Sequence, residues 1–184
     1  MFLFIVYLIR LLILAGIIYV ILRIRANRMG AIHSNKSHYF DNLQFSAQEF
    51  YASLESIIKD RKIPGVKISR VTYHEKHILS NKREYLRIER KDDIFDICAA
   101  PFGTGFFVSY WHGEPKKRMR DMAMKVPLLS TAVGGWQGTT FYKIDTAAMF
   151  NLCVKDSITE AMDNITTSKG IRGFSEAERI AFNA

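Results

Sequence analysis

The first 22 residues form one almost uninterrupted apolar stretch, MFLFIVYLIRLLILAGIIYVIL. Sixteen of them are Leu, Ile, Val or Phe, and Arg10 is the only charged side chain. At a rise of about 1.5 Å per residue, a helix of this length spans roughly 33 Å, enough to cross a hydrocarbon core of about 30 Å. The apolar side chains together outweigh the insertion cost of about 3 kcal/mol for one arginine. The sequence therefore predicts a transmembrane anchor over residues 1–22.

The charges after this stretch predict its orientation. A cleaved signal peptide has basic residues before its apolar core and a small-residue cleavage site after it, whereas here Arg23, Arg25 and Arg28 follow the core. We therefore expect a retained, single-pass anchor. The positive-inside rule predicts that the rest of the chain is cytoplasmic.

Charge argues against nucleic acid as a partner. The formal net charge is +8, but residues 1–40 contain five basic residues and no acidic residue. Only +3 is therefore left for the remainder of the chain. Because a nucleic-acid-binding domain normally carries a clear basic excess of its own, binding to nucleic acid is not expected.

Arg10 lies within the predicted anchor and admits two interpretations. Side chains of a helix lean toward its amino terminus, so the guanidinium can snorkel to the outer interface. Alternatively, Arg10 pairs with a carboxylate of another membrane protein or lines a polar seam between copies of this chain. One polar side chain does not decide between them.

The rest of the chain is predicted to contain a linker and one domain. Residues 23–45 are rich in Asn, Ser and His and are interpreted as a polar linker, which leaves residues 46–184 for a cytoplasmic domain. Ser46 and Glu49 have the spacing of a capping box, which predicts a helix over 47–61. Segments rich in Val, Ile, Tyr and Phe then alternate with turn residues, which predicts strands at 66–78, 83–90, 94–100 and 104–111.

The carboxyl-terminal third is predicted to be mainly helical. After a short strand at 139–144, Asp145 is expected to cap a long helix over 146–168. One face of this helix is predicted to be apolar, with Met149, Leu152, Cys153, Ile158, Met162 and Ile165. Ser175 and Glu178 form a second capping box, which predicts a short tail helix. The fold class is thus α+β: one N-terminal transmembrane helix, followed by a soluble domain with an antiparallel sheet of about four or five strands packed by two main helices.

Residues suited to chemistry do not form a recognisable active site in the sequence. The chain lacks a Walker loop, GxSxG, HExxH and GxGxxG, so no catalytic residue or cofactor is predicted. Its two cysteines and five histidines do not have the spacing of a metal site. Asp96 falls within an apolar strand, and a stabilising ion pair with an arginine such as Arg87 is favoured over acid–base catalysis.

Residues 101–138 combine aromatic with basic side chains, which is typical of a contact with a membrane surface or a partner. The alternative is that the aromatic residues fill the core of the sheet and the charges lie on a solvated loop. The predicted contact residues are Phe102, Phe106, Phe107, Trp111, Lys116, Lys117, Arg118, Arg120 and Trp136.

Together these patterns predict a membrane-anchored protein whose cytoplasmic domain is a non-enzymatic binding or assembly module at the membrane surface. Its expected partners are the lipid bilayer and either copies of itself, as a homo-oligomer, or another membrane protein. Two alternatives remain open. One is an oligomerising membrane effector or channel component that uses Arg10, and the other is a membrane-bound enzyme of unknown reaction.

Overall fold

The structure is a computed structural model, and it describes Tyr7 and residues 9–18, 29–74, 82–115 and 140–184. Tyr7 and residues 9–18 are helical and are called α1. Among the helices within these ranges, none combines the length and the hydropathy needed to span a bilayer. Residues 1–6, 8 and 19–22 of the predicted anchor lie outside the described residues.

The described part of the domain is an antiparallel sheet with helices before, between and after its strands. The elements are β1 (Met29–Phe40), α2 (Ala47–Asp60), β2 (Lys67–His74), β3 (Lys82–Arg90), β4 (Asp93–Phe102), β5 (Gly105–Pro115), α3 (Phe141–Ser168) and α4 (Glu176–Asn183). The sheet order is β1-β5-β4-β3-β2, and each neighbouring pair is antiparallel. The prediction of an α+β domain with an antiparallel sheet is therefore confirmed.

Strand β1 occupies residues that the sequence suggested were a linker. Over residues 29–40 the structure differs from that interpretation, because β1 pairs with β5 from Met29↔Pro115 to Phe40↔Phe106. Asn35 and Ser37 are exposed. An edge strand of an antiparallel sheet can be polar along most of its length, so its composition resembles that of a loop.

One face of the sheet carries the core. Alternate residues of β3, β4 and β5 point to this face, and α2, α3 and α4 cover it. At about 1.5–3 kcal/mol per fully buried large apolar side chain, this layer is the main source of stability. Its members include Leu86, Ile88, Phe95, Ile97, Val108 and Tyr110 from the sheet and Phe50, Leu54, Phe150, Ile158, Met162 and Phe182 from the helices.

The beginning of α3 differs from the prediction. Residues 141–144 are the first helical turn rather than a strand, and Thr140, not Asp145, is the N-cap. The Thr140 hydroxyl accepts a hydrogen bond from the Lys143 amide at 3.4 Å. Phe, Tyr and Thr favour strands in a short window, but a good cap and a long helix outweigh that local preference.

The two predicted capping boxes have different outcomes. Ser175 accepts from the Glu178 amide, and the Glu178 carboxylate accepts from the Ser175 amide at 2.7 Å, so the box that begins α4 is confirmed. Ser46 is the N-cap of α2 but its hydroxyl makes no capping hydrogen bond, so the first predicted box is wrong.

Candidate functional site

Helix α1 is apolar on every side. Its eight large apolar side chains, from Tyr7 to Ile18, are between 48% and 68% exposed, and Arg10 is exposed as well. A helix that is hydrophobic all round is normally buried, either in the interior of a large protein or in a membrane. The described residues 29–74, 82–115 and 140–184 do not bury α1.

A second exposed apolar surface lies on the first three turns of α3. At about 100° per residue, its members fall within an arc of about 160°, opposite the buried side chains of Phe150 and Val154. Asp145 is the only charged residue within this arc. We call this surface the apolar α3 face, and its members, which are between 52% and 87% exposed, are Phe141, Tyr142, Ile144, Met149 and Leu152.

The sequence did not predict this surface. Phe141, Tyr142 and Ile144 were assigned to a strand, and Met149 and Leu152 to the buried face of α3. Both assignments are wrong for these five residues, because the sheet contacts a different side of the first turns, where Phe150 and Val154 are buried. Ile158, Met162 and Ile165, further along the predicted face, are buried. Met and Leu mark an apolar stripe equally well whether or not something covers it.

The register of the strands defines two ends of the sheet. Met29 pairs with Pro115, and Gly113 pairs with both Ile32 and Ile94 near the start of β4. We call this the entry end, because the chain enters the domain there from α1. At the opposite end, the far end, lie Phe40 and the β4–β5 turn with Phe102 and Gly105.

Helix α3 begins at the entry end. The Phe150 ring packs on Phe95, two residues from the start of β4, at 5.9 Å between centroids. Nineteen residues later, the Lys169 ammonium lies 5.9 Å from the ring of Phe45, which itself packs on Phe106 near the far end. The helix thus runs from the entry end toward the far end. Every residue of the apolar α3 face lies before Phe150 or within two residues of it, so this face is at the entry end.

A buried polar network lies on the other face of the sheet. Arg87 donates to both carboxylate oxygens of Asp96, with Nε–Oδ1 and Nη2–Oδ2 distances of 2.7 Å, and Tyr73 donates to Oδ2 at 2.6 Å. Arg87 is 4% exposed and Asp96 is 2% exposed. The predicted Arg87–Asp96 ion pair is confirmed. Because both oxygens of Asp96 accept charge-assisted hydrogen bonds, the carboxylate is held as a structural group.

The network also reaches the start of β1. Burial and the hydrogen bond to Asp96 raise the pKa of Tyr73, and a hydrogen bond with the Met29 backbone opposes this shift. Close by, β1 passes directly over Gly113, where a Cβ atom would clash with the Ala31 carbonyl oxygen. The start of β1 therefore contacts Tyr73 of β2 as well as its neighbour β5.

Two histidines lie at the entry end. His112 is buried, stacks on Phe95 at 4.5 Å and has its Nε2 3.3 Å from Asp93 Oδ1. His33 lies 3.3 Å from Glu114, and its ring is 5.4 Å from that of His112. Burial lowers the pKa of His112, and Asp93 opposes the shift. Among the residues that the structure describes, no three His, Cys, Asp or Glu side chains converge as a metal site.

The aromatic residues of the predicted contact are dispersed. Phe106 is fully buried against Phe50, so it belongs to the core and is not available for a surface contact. Phe102 is 73% exposed but lies at the far end. Phe107 and Trp111 are partly exposed, and they point to the other face of the sheet because they alternate with Phe106 and Val108.

The remaining predicted contact residues cannot be located in this way. Lys116, Lys117, Arg118, Arg120 and Trp136 lie outside the described residues. In the sequence they stand between Pro115 and Thr140, which close β5 and precede α3. The structure thus brings Phe102, Phe106, Phe107 and Trp111 to three different places rather than to one surface.

Comparison with known proteins gives no match: no protein-family model, no curated protein and no solved structure is similar to this chain. The features that bear on function are therefore the physical properties of α1, the apolar α3 face and the entry end.

Proposed function

We propose that this chain is a single-pass membrane-anchored protein whose α+β domain lies on the cytoplasmic side and acts as a binding or assembly module at the membrane surface. The observation that carries the proposal is α1, whose eight large apolar side chains are 48–68% exposed within a sequence stretch that contains one charge. Lipid is the environment that suits a helix with this surface.

The orientation is supported by the basic residues after the apolar stretch. Arg23, Arg25 and Arg28 follow it, and no acidic residue precedes Asp41. Positive charges next to a membrane segment favour the cytoplasmic side. A domain tethered there meets partners at a high effective concentration, so weak contacts with copies of itself or with another membrane protein are sufficient for assembly.

A binding role is favoured over catalysis because the groups best suited to chemistry are used within the fold. Both oxygens of Asp96 are engaged by Arg87 and Tyr73. Cys98 is buried, and burial raises the pKa of its thiol, which disfavours the nucleophilic thiolate.

Membrane extraction tests the anchor. The full-length protein is expected to stay in the membrane pellet after alkaline carbonate treatment. Replacing Leu12 and Leu14 by Lys places two charges in the span, at about 3 kcal/mol each near the bilayer centre, and is expected to move the protein to the supernatant. Phe102→Lys adds a charge at an exposed position of the far end and serves as the control that stays in the pellet. Release of the unmodified protein by carbonate contradicts the proposal.

Labelling tests the orientation. A Phe102→Cys variant, made in a Cys153→Ser background, presents one exposed thiol because Cys98 is buried. A membrane-impermeant maleimide is expected to label it in inverted vesicles and not in right-side-out vesicles. The reverse pattern contradicts a cytoplasmic domain.

A further inference from the structure

Within the part of the chain that the structure describes, the apolar α3 face is left exposed. Its residues do not contribute to the core, and five large apolar side chains at 52–87% exposure share one arc with a single charged residue, Asp145. Patches of this kind mark contacts with a partner or a membrane. We infer that the apolar α3 face is a second membrane contact, seated in the interface of the same bilayer that holds α1. This inference rests on the proposed anchor.

The tether between the apolar stretch and the domain is short. Six residues, 23–28, stand between Leu22, the end of the apolar stretch, and Met29, so the two are seven residue steps, or at most about 24 Å, apart even when the chain is fully extended. Met29 is at the entry end, and α3 begins at that same end. The tether therefore lets the domain lie with the apolar α3 face on the bilayer surface. Phe102 is then held away from the bilayer, because it alternates with Ile97 and points to the face of the sheet opposite the helices.

The amino-acid composition of the apolar α3 face suits a membrane interface. Two aromatic side chains, Phe141 and Tyr142, lead the helix, and Tyr places its hydroxyl in water while its ring lies in an apolar layer. Helices that lie in the plane of a membrane combine such a face with a polar opposite side. Here the opposite side is the protein core. Five basic residues, which an anionic leaflet attracts, occur in the sequence between Pro115 and Thr140.

A second copy of the chain is the competing occupant of the apolar α3 face. Scaled by their exposed fractions, the five side chains offer roughly 600 Å² of surface, below the about 800 Å² per partner that a stable complex buries. A tethered lipid contact needs no such area, because the anchor already supplies the proximity. The bilayer is therefore the occupant that the observations favour.

The experiment uses the full-length chain in nanodiscs of phosphatidylcholine and phosphatidylglycerol, with an environment-sensitive fluorophore on a single introduced cysteine. In the Cys153→Ser background, Phe141→Cys reports on the apolar α3 face. Phe102→Cys is its matched control, because it replaces another exposed phenylalanine at the far end. Leu12→Cys reports on α1. For positions 141, 149 and 102 the quencher is a lipid with a spin label near the top of its acyl chain. For position 12, at the middle of the span, it is a lipid with the spin label near the end of its acyl chain.

An interfacial helix lies about 5–10 Å into the headgroup boundary, so the label at position 141 is expected to lose about half of its emission to the quencher. The label at position 102 is expected to lose almost none, and the label at position 12 is expected to be quenched. Met149→Cys, on the same arc as Phe141, is expected to behave like Phe141→Cys.

Three outcomes overturn the inference, and they differ in what they leave standing. Quenching at position 12 without quenching at 141 and 149 removes the second contact and leaves the anchor. No quenching at position 12 removes the anchor as well. A third outcome is that the label at position 141 is shielded from water but not quenched by lipid, and that energy transfer occurs between copies. This outcome assigns the apolar α3 face to a second copy of the chain.

Discussion

Replacing Asp96 by Asn removes the negative charge of the buried pair with Arg87 and changes the volume of the side chain very little. The carboxylate accepts three hydrogen bonds at 2.6–2.7 Å, and the two partners of the ion pair are 4% and 2% exposed. The variant leaves the guanidinium buried without a counter-charge. Removing one partner of a buried pair typically costs about 3–5 kcal/mol, so we expect a loss of about 4 kcal/mol in the free energy of unfolding.

The contrast with an exposed pair gives the matched control. Arg61 and Glu160 are joined at 2.6 Å, closer than the 2.7 Å of the Arg87–Asp96 pair, but their side chains are 29% and 48% exposed. Exposed pairs contribute about 0–1 kcal/mol, so Glu160→Gln is expected to have little effect. The two variants therefore separate the effect of burial from the effect of distance.

Urea unfolding of the full-length protein in nanodiscs measures both. Tryptophan fluorescence is a suitable probe because Trp111 pairs with Asp96 across β4 and β5. With a slope of about 2 kcal/mol per molar urea, the loss in Asp96→Asn lowers the midpoint by about 2 M. A double variant, Arg87→Met with Asp96→Leu, leaves no uncompensated charge and is expected to be more stable than Asp96→Asn. An Asp96→Asn midpoint as close to wild type as that of Glu160→Gln refutes the reasoning.

Three further predictions concern the entry end and the anchor. Burial lowers the pKa of His112, so below about pH 6.5 the unfolded chain binds more protons than the folded one. The contribution of His112 to the free energy of unfolding is therefore complete above that pH. It falls as the pH drops toward the lowered pKa. In His112→Gln, the urea midpoint is expected to fall less between about pH 7.5 and 5.5 than in the wild type. His38, whose pKa is also lowered by burial, accounts for part of the fall that remains. An unchanged pH dependence of the midpoint contradicts this prediction. Gly113→Ala is expected to cost about 1–3 kcal/mol in the same unfolding assay, because the new Cβ meets the Ala31 carbonyl, whereas Gly16→Ala, with nothing within 4 Å, is the neutral control. Arg10→Leu is expected to leave dye retention by liposomes unchanged, as for a pure tether, and leakage that occurs with wild type and disappears in the variant would instead support the effector alternative.

The site shows where sequence reasoning succeeds. An acidic residue in an otherwise apolar strand must have a partner, so Asp96 and a strand-neighbouring arginine could be paired before the structure was known. Arg87 and Asp96 do stand opposite each other in the β3–β4 register. The third member of the network, Tyr73, was not predicted. It comes from β2, which β3 separates from β4, so only the arrangement of the sheet brings its hydroxyl to the Asp96 carboxylate.

The apolar α3 face shows where sequence reasoning fails. A stripe of Met, Leu and aromatic residues has the same helical period whether it faces a core or solvent. Which side of α3 is buried depends on where the sheet contacts it, and that contact is set by Phe95 and Tyr110, more than thirty residues earlier. Phe106 was misassigned for the same reason, since exposure is a property of the neighbours and not of the residue.

By itself the sequence determined the features that arise within a few residues: the apolar stretch over 1–22, the alternation that makes four of the strands, and the capping box at Ser175. The tertiary structure alone decided that residues 29–40 form an edge strand, that Tyr73 and the start of β1 join the Arg87–Asp96 pair, and that the first turns of α3 stay uncovered. The physical reason is that local patterns depend on backbone geometry and side-chain period, whereas burial depends on which distant surfaces meet.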